Sequence, residues 1–215
     1  MYTPPAFRQN DLATLHQEIQ GCRLATLISH GGSGLQASHL PLLLRPEEGR
    51  YGTLYGHLAR ANPHARLLAE GDEALVVFSG ADAYVSPSWY PAKAEHGKVV
   101  PTWNYIAVHA YGRAEVFDDA ERLLALLGEL TDRHEQPRPQ PWAIDDAPRD
   151  YIDGMLRAIV GFALPIRRLE GKWKLSQNRP AADRAGVREG LAASSDPRDR
   201  ELAARMNPID CSETN

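Results

Sequence analysis

The segment Gly56-His57-Leu58-Ala59-Arg60-Ala61-Asn62-Pro63 carries residues suited to holding a phosphate. A strand reads up to about His57, and Asn62-Pro63 sets a capping residue directly before a proline, the favoured start of a helix. A helix N-terminus presents unpaired N–H groups and the positive end of the peptide dipoles, which suits an anion. Arg60 adds a planar guanidinium fork matched to phosphate oxygens, and His57 a further donor. The same residues also suit an ordinary capped helix with a surface arginine, and the segment alone leaves both readings open.

Three further segments set aromatics among polar side chains. Lys98-Val99-Val100-Pro101-Thr102-Trp103-Asn104-Tyr105 suits a planar ligand with a polar edge, because rings supply contact area while Asn and Thr satisfy heteroatoms. It equally suits a structural aromatic cluster with a solvated lysine. Ser86-Pro87-Ser88-Trp89-Tyr90-Pro91 reads similarly, its two prolines favouring a rigid interface loop. Lys172-Trp173-Lys174-Leu175-Ser176-Gln177-Asn178-Arg179 puts three cations beside a tryptophan, either a solvated strand face or a phosphate or nucleic-acid contact.

Other chemistries fail on spacing. Gly32-Ser33-Gly34-Leu35-Gln36-Ala37 matches G-x-G-x-x-A, but that fingerprint needs a helix next to receive pyrophosphate. Ser38-His39-Leu40-Pro41-Leu42 follows instead, with a proline where the helix would be, so the match is accidental. His134-Glu135-Gln136 runs into prolines and makes no H-E-x-x-H helix, and neither a P-loop nor a G-x-S-x-G elbow occurs. The eight histidines show no metal-ligand spacing, so no metal is expected. Cys22 beside an apolar run reads as a buried small hydrophobe, and Cys211 lies in a polar tail, with no disulfide framework between them.

The elements that must position these residues are short strands joined by turns. Asp11 caps a first helix with Leu12, Leu15 and Ile19 at helical spacing. Leu24 to Ser29 reads as a strand, His30 to Gly34 as a hairpin turn, Leu35 to Leu44 as the return strand, and Tyr51 to His57 as a third. After the helix from Asn62-Pro63 to Gly71, Ala74 to Ser79 and Tyr84 to Ser86 read as two short strands, and Pro87 to Lys98 as a long loop. Thr102 to Phe117 alternates strictly: Ile106, Val108, Ala110, Gly112, Ala114 and Val116 share one face, Tyr105, His109, Tyr111, Arg113 and Glu115 the other. Asp118 with Glu121 starts a helix bearing Leu123, Leu124, Leu127 and Leu130. A Pro-rich linker, a helix near Pro148 to Val160, and a strand pair turning at Glu170-Gly171 follow, Pro165 marking an edge or bulged strand. Six to eight mostly hairpin-linked strands with three or four helices disfavour a doubly wound parallel sheet and predict a mainly β (α+β) antiparallel closed or split barrel with peripheral helices.

Composition sets the outer bounds. Hydrophobic content of 43% and charged content of 24% are near globular averages, so a packed core is expected. No apolar run is long enough for a membrane helix, and the first residues lack a signal-peptide pattern, which predicts a cytoplasmic protein. The net charge of −4 argues mildly against a dedicated nucleic-acid binder, since phosphate neutralisation supplies most of its affinity.

Taken in order, Met1 to Phe7, Ser38-His39-Leu40-Pro41, Gly56 to Pro63, Ser86 to Tyr90, Val100 to Tyr105 and Lys174-Leu175-Ser176-Gln177-Asn178 resemble the signatures of the PaiB family of FMN-binding negative transcriptional regulators. The resemblance covers residues 1–180 and leaves 181–215 as a polar C-terminal extension, helical or partly disordered. It implies an FMN-binding split barrel related to pyridoxamine phosphate oxidases and flavin reductases, a homodimer with FMN at the subunit interface. By position it implies phosphate contacts from His57, Arg60 and Asn62, and flavin contacts from Thr26, Ser38, His39, Leu40 and Pro41. Thr102, Trp103 and Asn104 would come from the long strand, of either subunit, and Lys174 and Gln177 would close the site. Ala59 and Ala61 stand where the oxidases carry phosphate-binding side chains, a departure that leaves the phosphate contacts open.

DNA binding is implied by the family name alone, with no helix-turn-helix pattern to carry it. An FMN-dependent oxidoreductase, with His39 and Tyr105 as proton-transfer candidates, is the alternative. A haem-handling barrel with His109 as axial ligand is a third.

Overall fold

The computed structural model describes residues 1–32 and 34–206. Ser33, in the first turn and the glycine motif, and residues 207–215 with Cys211 lie outside the described residues. The chain divides into two units, one of residues 11–78 with 108–169 and another of 1–10, 79–107 and 170–215.

The strands are β1 (Arg8–Gln9), β2 (Ala25–Gly31), β3 (Gly34–Leu40), β4 (Leu43–Arg45), β5 (Thr53–Ala59), β6 (Glu73–Val85), β7 (Thr102–Arg113), β8 (Glu115–Phe117) and β9 (Ile159–Lys174). They join in the order β3-β2-β6-β7-β9-β5-β4, with β1 and β8 also pairing to β9. The pairs of β2 with β3 and β6, β4 with β5, and β9 with β1, β5 and β8 are antiparallel, as the tight turns predict.

In the unit of residues 11–78 and 108–169, Asp11 caps α1 (Leu12–Gly21) through Thr14 N at 2.8 Å, and Leu15 and Ile19 bury the inner face. Helix α2 (Pro63–Ala69) follows β5, and Gly71, at φ 81°, ends it in the left-handed region that glycine tolerates. A Cβ on Gly31 of β2 would stand 2.1 Å from Leu67 Cδ1 of α2, so the end of that leucine packs directly against the glycine. Phe117, Leu123, Leu126, Leu130, Leu156 and Ala163 form a core cluster that holds α4 (Ala120–Glu135) and α5 (Arg149–Arg157).

In the other unit, a 3₁₀ turn (Pro87–Trp89) and α3 (Ala92–His96) occupy much of the expected loop. The C-terminal residues supply α6 (Ala181–Ala192) and α7 (Pro197–Arg205), burying Val187, Leu191, Leu202 and Met206. The backbone carbonyl of Trp89 would lie 2.1 Å from a Cβ on Gly186, so that glycine permits the helix to approach.

Several boundaries differ from the sequence expectation for identifiable reasons. Pro41 has no N–H for a ladder, and the return strand breaks there into β3, paired with β2, and β4, paired with β5. The two short strands before residue 87 are the single β6. Beyond Gly112 the buried positions change phase: Ala114 and Val116 are only half-buried and Phe117 is buried. Glu170-Gly171 makes no turn, because Gly171 and Lys172 pair with Gln9 and Arg8 of β1. Pro165 is no edge marker either, since β9 lies between β7 and β5; it faces Thr53, the first residue of β5, and the next amide, Ile166 N, donates to Gly52 O at 3.0 Å. The cap of α4 is Asp119, accepting from Arg122 N at 2.8 Å, which leaves Asp118 for another partner. Cys22 is partly exposed.

Candidate functional site

The β5–α2 junction gathers a polar cluster inside one unit. Asn62 caps α2, its Oδ1 accepting from His64 N at 3.0 Å. Pro63 fixes the first helical position, which turns His64 inward until it is 1% exposed. Ser38 of β3 meets it there: Ser38 Oγ lies 2.8 Å from His64 Nδ1 and accepts from Asn62 Nδ2 at 3.4 Å. His64 Nε2 is buried with no hydrogen-bond partner among the described residues, and so is His57 Nδ1 of β5. Burial lowers the pKa of both rings, so each is held neutral and offers one donor and one acceptor. Orphaned buried polar atoms carry a free-energy cost that a ligand can relieve.

Arg60 is adjacent in sequence but already engaged. Its Nε donates to Arg157 O at 3.0 Å, one Nη to Ile159 O at 3.1 Å, and the other to Asp118 Oδ2 at 3.3 Å. Three of five N–H groups are thus engaged, two tying the junction to the end of α5 and the start of β9 and one meeting Asp118, which leaves two for a ligand.

The first hairpin divides its candidates by face. Residues directly opposite in an antiparallel pair share a side of the sheet. Thr26 opposes His39 and bonds it, Oγ1 to Nδ1, at 3.0 Å. Ser38 opposes Leu27 on the other side, with His64. Leu40 is buried at 5% exposure and follows Ser38's face, while Pro41 begins the break after β3. The structure therefore brings Ser38, Asn62 and His64 together, and places Thr26 with His39 on the opposite side.

The remaining candidates lie in the other unit. Lys174 Nζ donates to Thr102 Oγ1 at 2.8 Å and to the Trp103 carbonyl. Trp103, 54% exposed, meets Tyr84 edge-to-face with ring centroids 5.9 Å apart. Asn104 is fully buried, exchanging hydrogen bonds with Ser176 Oγ at 3.0 and 3.2 Å, and so helps to build the core. Gln177 closes a turn, accepting from Leu175 N at 2.7 Å and donating to Trp173 O at 2.6 Å. Within that turn Ser176 holds a φ of 64°, a strained value for a residue with a Cβ.

His64 is absent from the sequence-derived candidates. Its signal was its place one residue after the Asn62-Pro63 cap, but a histidine there reads as helix surface until Ser38 is seen across from it.

The family model described as "Putative FMN-binding domain" matches residues 1–168. A protein of Aspergillus fumigatus is 39% identical over 198 residues, covering 73% of this chain and 76% of the relative. "Protease synthase and sporulation protein PAI 2" of Bacillus subtilis is 32% identical over 206 residues, covering 96% of each. Among solved structures, the FAD and heme binding protein from Mycobacterium smegmatis matches with a TM-score of 0.58 at 22% identity, over 83% of this chain and 78% of that one, a likeness of split-barrel fold. Matched over most of its length by the model and over nearly all of it by the bacterial relative, the chain belongs to this FMN-binding family, and its cofactor is FMN.

Proposed function

We propose that this chain binds FMN as a cytoplasmic homodimer, with the flavin phosphate held at the β5–α2 junction, and restrains transcription in the manner of PaiB-type regulators. The observation that carries the phosphate assignment is the cluster of Ser38, Asn62 and His64, with a buried, unpartnered Nε2 at its heart. Its donors fit a phosphate ester: the Asn62 carboxamide and the neutral His64 imidazole, which Ser38 orients, with the neutral His57 imidazole and the two remaining N–H groups of Arg60 proposed to join them. Bound FMN supplies electron and hydride transfer at its ring system. The chain's own part is to fix the phosphate, and Thr26, His39, Leu40 and Pro41 from the first hairpin are the proposed flavin contacts nearest in sequence to Ser38. Thr102, Trp103, Lys174 and Gln177, of this or the partner subunit, are the remaining proposed contacts. Asn104, fully buried, would support them from within the core.

Support for regulation is the 32% identity to the Bacillus subtilis sporulation protein over 96% of both chains. Among the described residues no helix is long and apolar enough to cross a membrane, consistent with the proposed location. An FMN-dependent oxidoreductase is the second reading, favoured by the net charge of −4 and by the exposed Tyr84–Trp103 pair, an aromatic surface suited to a planar substrate. Three measurements separate them. Flavin absorption in the purified or FMN-reconstituted protein tests the cofactor. A salt-dependent gel shift on promoter DNA from the source genome supports regulation. NAD(P)H oxidation under air without any DNA shift supports the enzyme.

A further inference from the structure

Two rungs join the start of β7 to the end of β9 and the turn after it. In the first, Lys174 Nζ donates to the Thr102 hydroxyl and the Trp103 carbonyl. Two residues further along, Ser176 Oγ donates to Asn104 Oδ1 at 3.2 Å and accepts from Asn104 Nδ2 at 3.0 Å. The same Nδ2 donates to Met206 Sδ at 3.7 Å, so its two N–H groups have two acceptors. Met206 stands at the end of α7, itself buried, and Leu202 and Ala203 bury α7 alongside it against α6.

The second rung carries strain. A residue with a Cβ keeps a left-handed φ, as Ser176 does, only where its surroundings over-determine it. Gln177 supplies part of that hold, bridging Leu175 N and Trp173 O, and the Asn104 carboxamide supplies the side-chain part. The two ends of a carboxamide are nearly alike in shape, so its partners decide which way it points. A hydroxyl both donates and accepts, and tolerates either orientation. A thioether only accepts. Met206 thus turns Nδ2 toward α7 and leaves Oδ1 for the Ser176 proton, an orientation that an apolar side chain of equal size would not enforce.

We propose that Met206 is a positioning residue for the flavin site. From the end of α7 its sulfur fixes the Asn104 carboxamide, and through Asn104 and Ser176 it holds Thr102, Trp103 and Lys174 in place. The C-terminal helix pair is then a latch on the flavin-facing end of β7, and not only a cover for its core. This inference rests on the flavin reading, in which those three residues contact the cofactor.

The test titrates wild type, Met206→Leu and Met206→Gln with FMN and with riboflavin, reading flavin fluorescence and the visible circular dichroism of the bound ring. Leucine keeps the volume and loses the acceptor, so Met206→Leu should melt within about 5 °C of wild type. It should nevertheless bind both flavins about fivefold more weakly and alter the dichroism, with equal losses because no junction residue is touched. Glutamine returns an acceptor at similar reach and should recover the affinity. Wild-type affinity and dichroism in Met206→Leu overturn the inference, and so do equal losses in both variants, which would make Met206 a packing residue. A wild-type chain that binds neither flavin removes the flavin reading and this inference with it, whereas binding that Met206→Leu leaves untouched removes the inference alone.

Discussion

Ser38 Oγ and His64 Nδ1 stand 2.8 Å apart, joining β3 of the first hairpin to the first turn of α2. Since Ser38 Oγ already accepts from Asn62 Nδ2, its own proton is free to go to His64 Nδ1, which puts the ring proton on the unpartnered Nε2. That donor is the one a phosphate oxygen would take. Ser38→Ala should therefore weaken FMN binding about tenfold while leaving riboflavin affinity unchanged, measured by quenching of flavin fluorescence. Equal losses for both ligands would mean that Ser38 acts through packing.

The two neutral histidines give stability a direction in pH. Burial lowers their folded-state pKa below the ordinary 6.5, so the unfolded chain binds more protons than the native one as pH falls through that value. Their contribution is complete above pH 6.5, declines below it, and levels off under the folded-state pKa. The melting temperature should drop between pH 6.5 and about 5, where carboxylates barely titrate, and His57→Gln should flatten part of that slope. A flat wild-type profile would contradict the buried-neutral assignment.

Arg60 and Asp118 are partners of unequal weight. The guanidinium also holds two backbone carbonyls, whereas Asp118 is 70% exposed and in one ion pair. Arg60→Ala should cost about 1–2 kcal/mol in urea unfolding, and Asp118→Asn less than about 1 kcal/mol. Arg60→Ala should also lower FMN affinity; if affinity is untouched, Arg60 is structural and the phosphate rests on Ser38, Asn62 and the histidines.

Gly56, in the strand that leads to the junction, is closely surrounded. A Cβ there would lie 2.6 Å from Leu42 Cδ2 and 2.8 Å from Phe162 Cζ. Gly56→Ala should lower stability by about 1–3 kcal/mol through overpacking, read by thermal melting. A neutral change would show that Leu42 and Phe162 can move aside.

The strand-to-helix junction was legible because Asn62-Pro63 is local chemistry: a cap and a fixed φ act within one turn. The antiparallel pairing was legible for the same reason, through short turns. What local reading missed depends on distant partners. Strand β6 runs unbroken from Glu73 to Val85 where local reading gave two short strands, and β9 runs straight through Glu170-Gly171 because β1 pairs there. At the site, Arg60 reads as a free fork until the carbonyls of Arg157 and Ile159 are seen to occupy it, residues about a hundred positions away. His64 gains meaning only from Ser38, on a different strand. Asn104 reads as a ligand donor until Ser176 is seen to satisfy it.

The most direct test compares FMN with riboflavin on the wild-type chain by calorimetry. Stoichiometric FMN binding, at least about tenfold tighter than riboflavin and losing that preference in Ser38→Ala, is the predicted result. Equal affinity for the two flavins, or a preference for FMN that survives the loss of Ser38, His57 and Arg60 side chains in turn, would contradict a phosphate site at the β5–α2 junction.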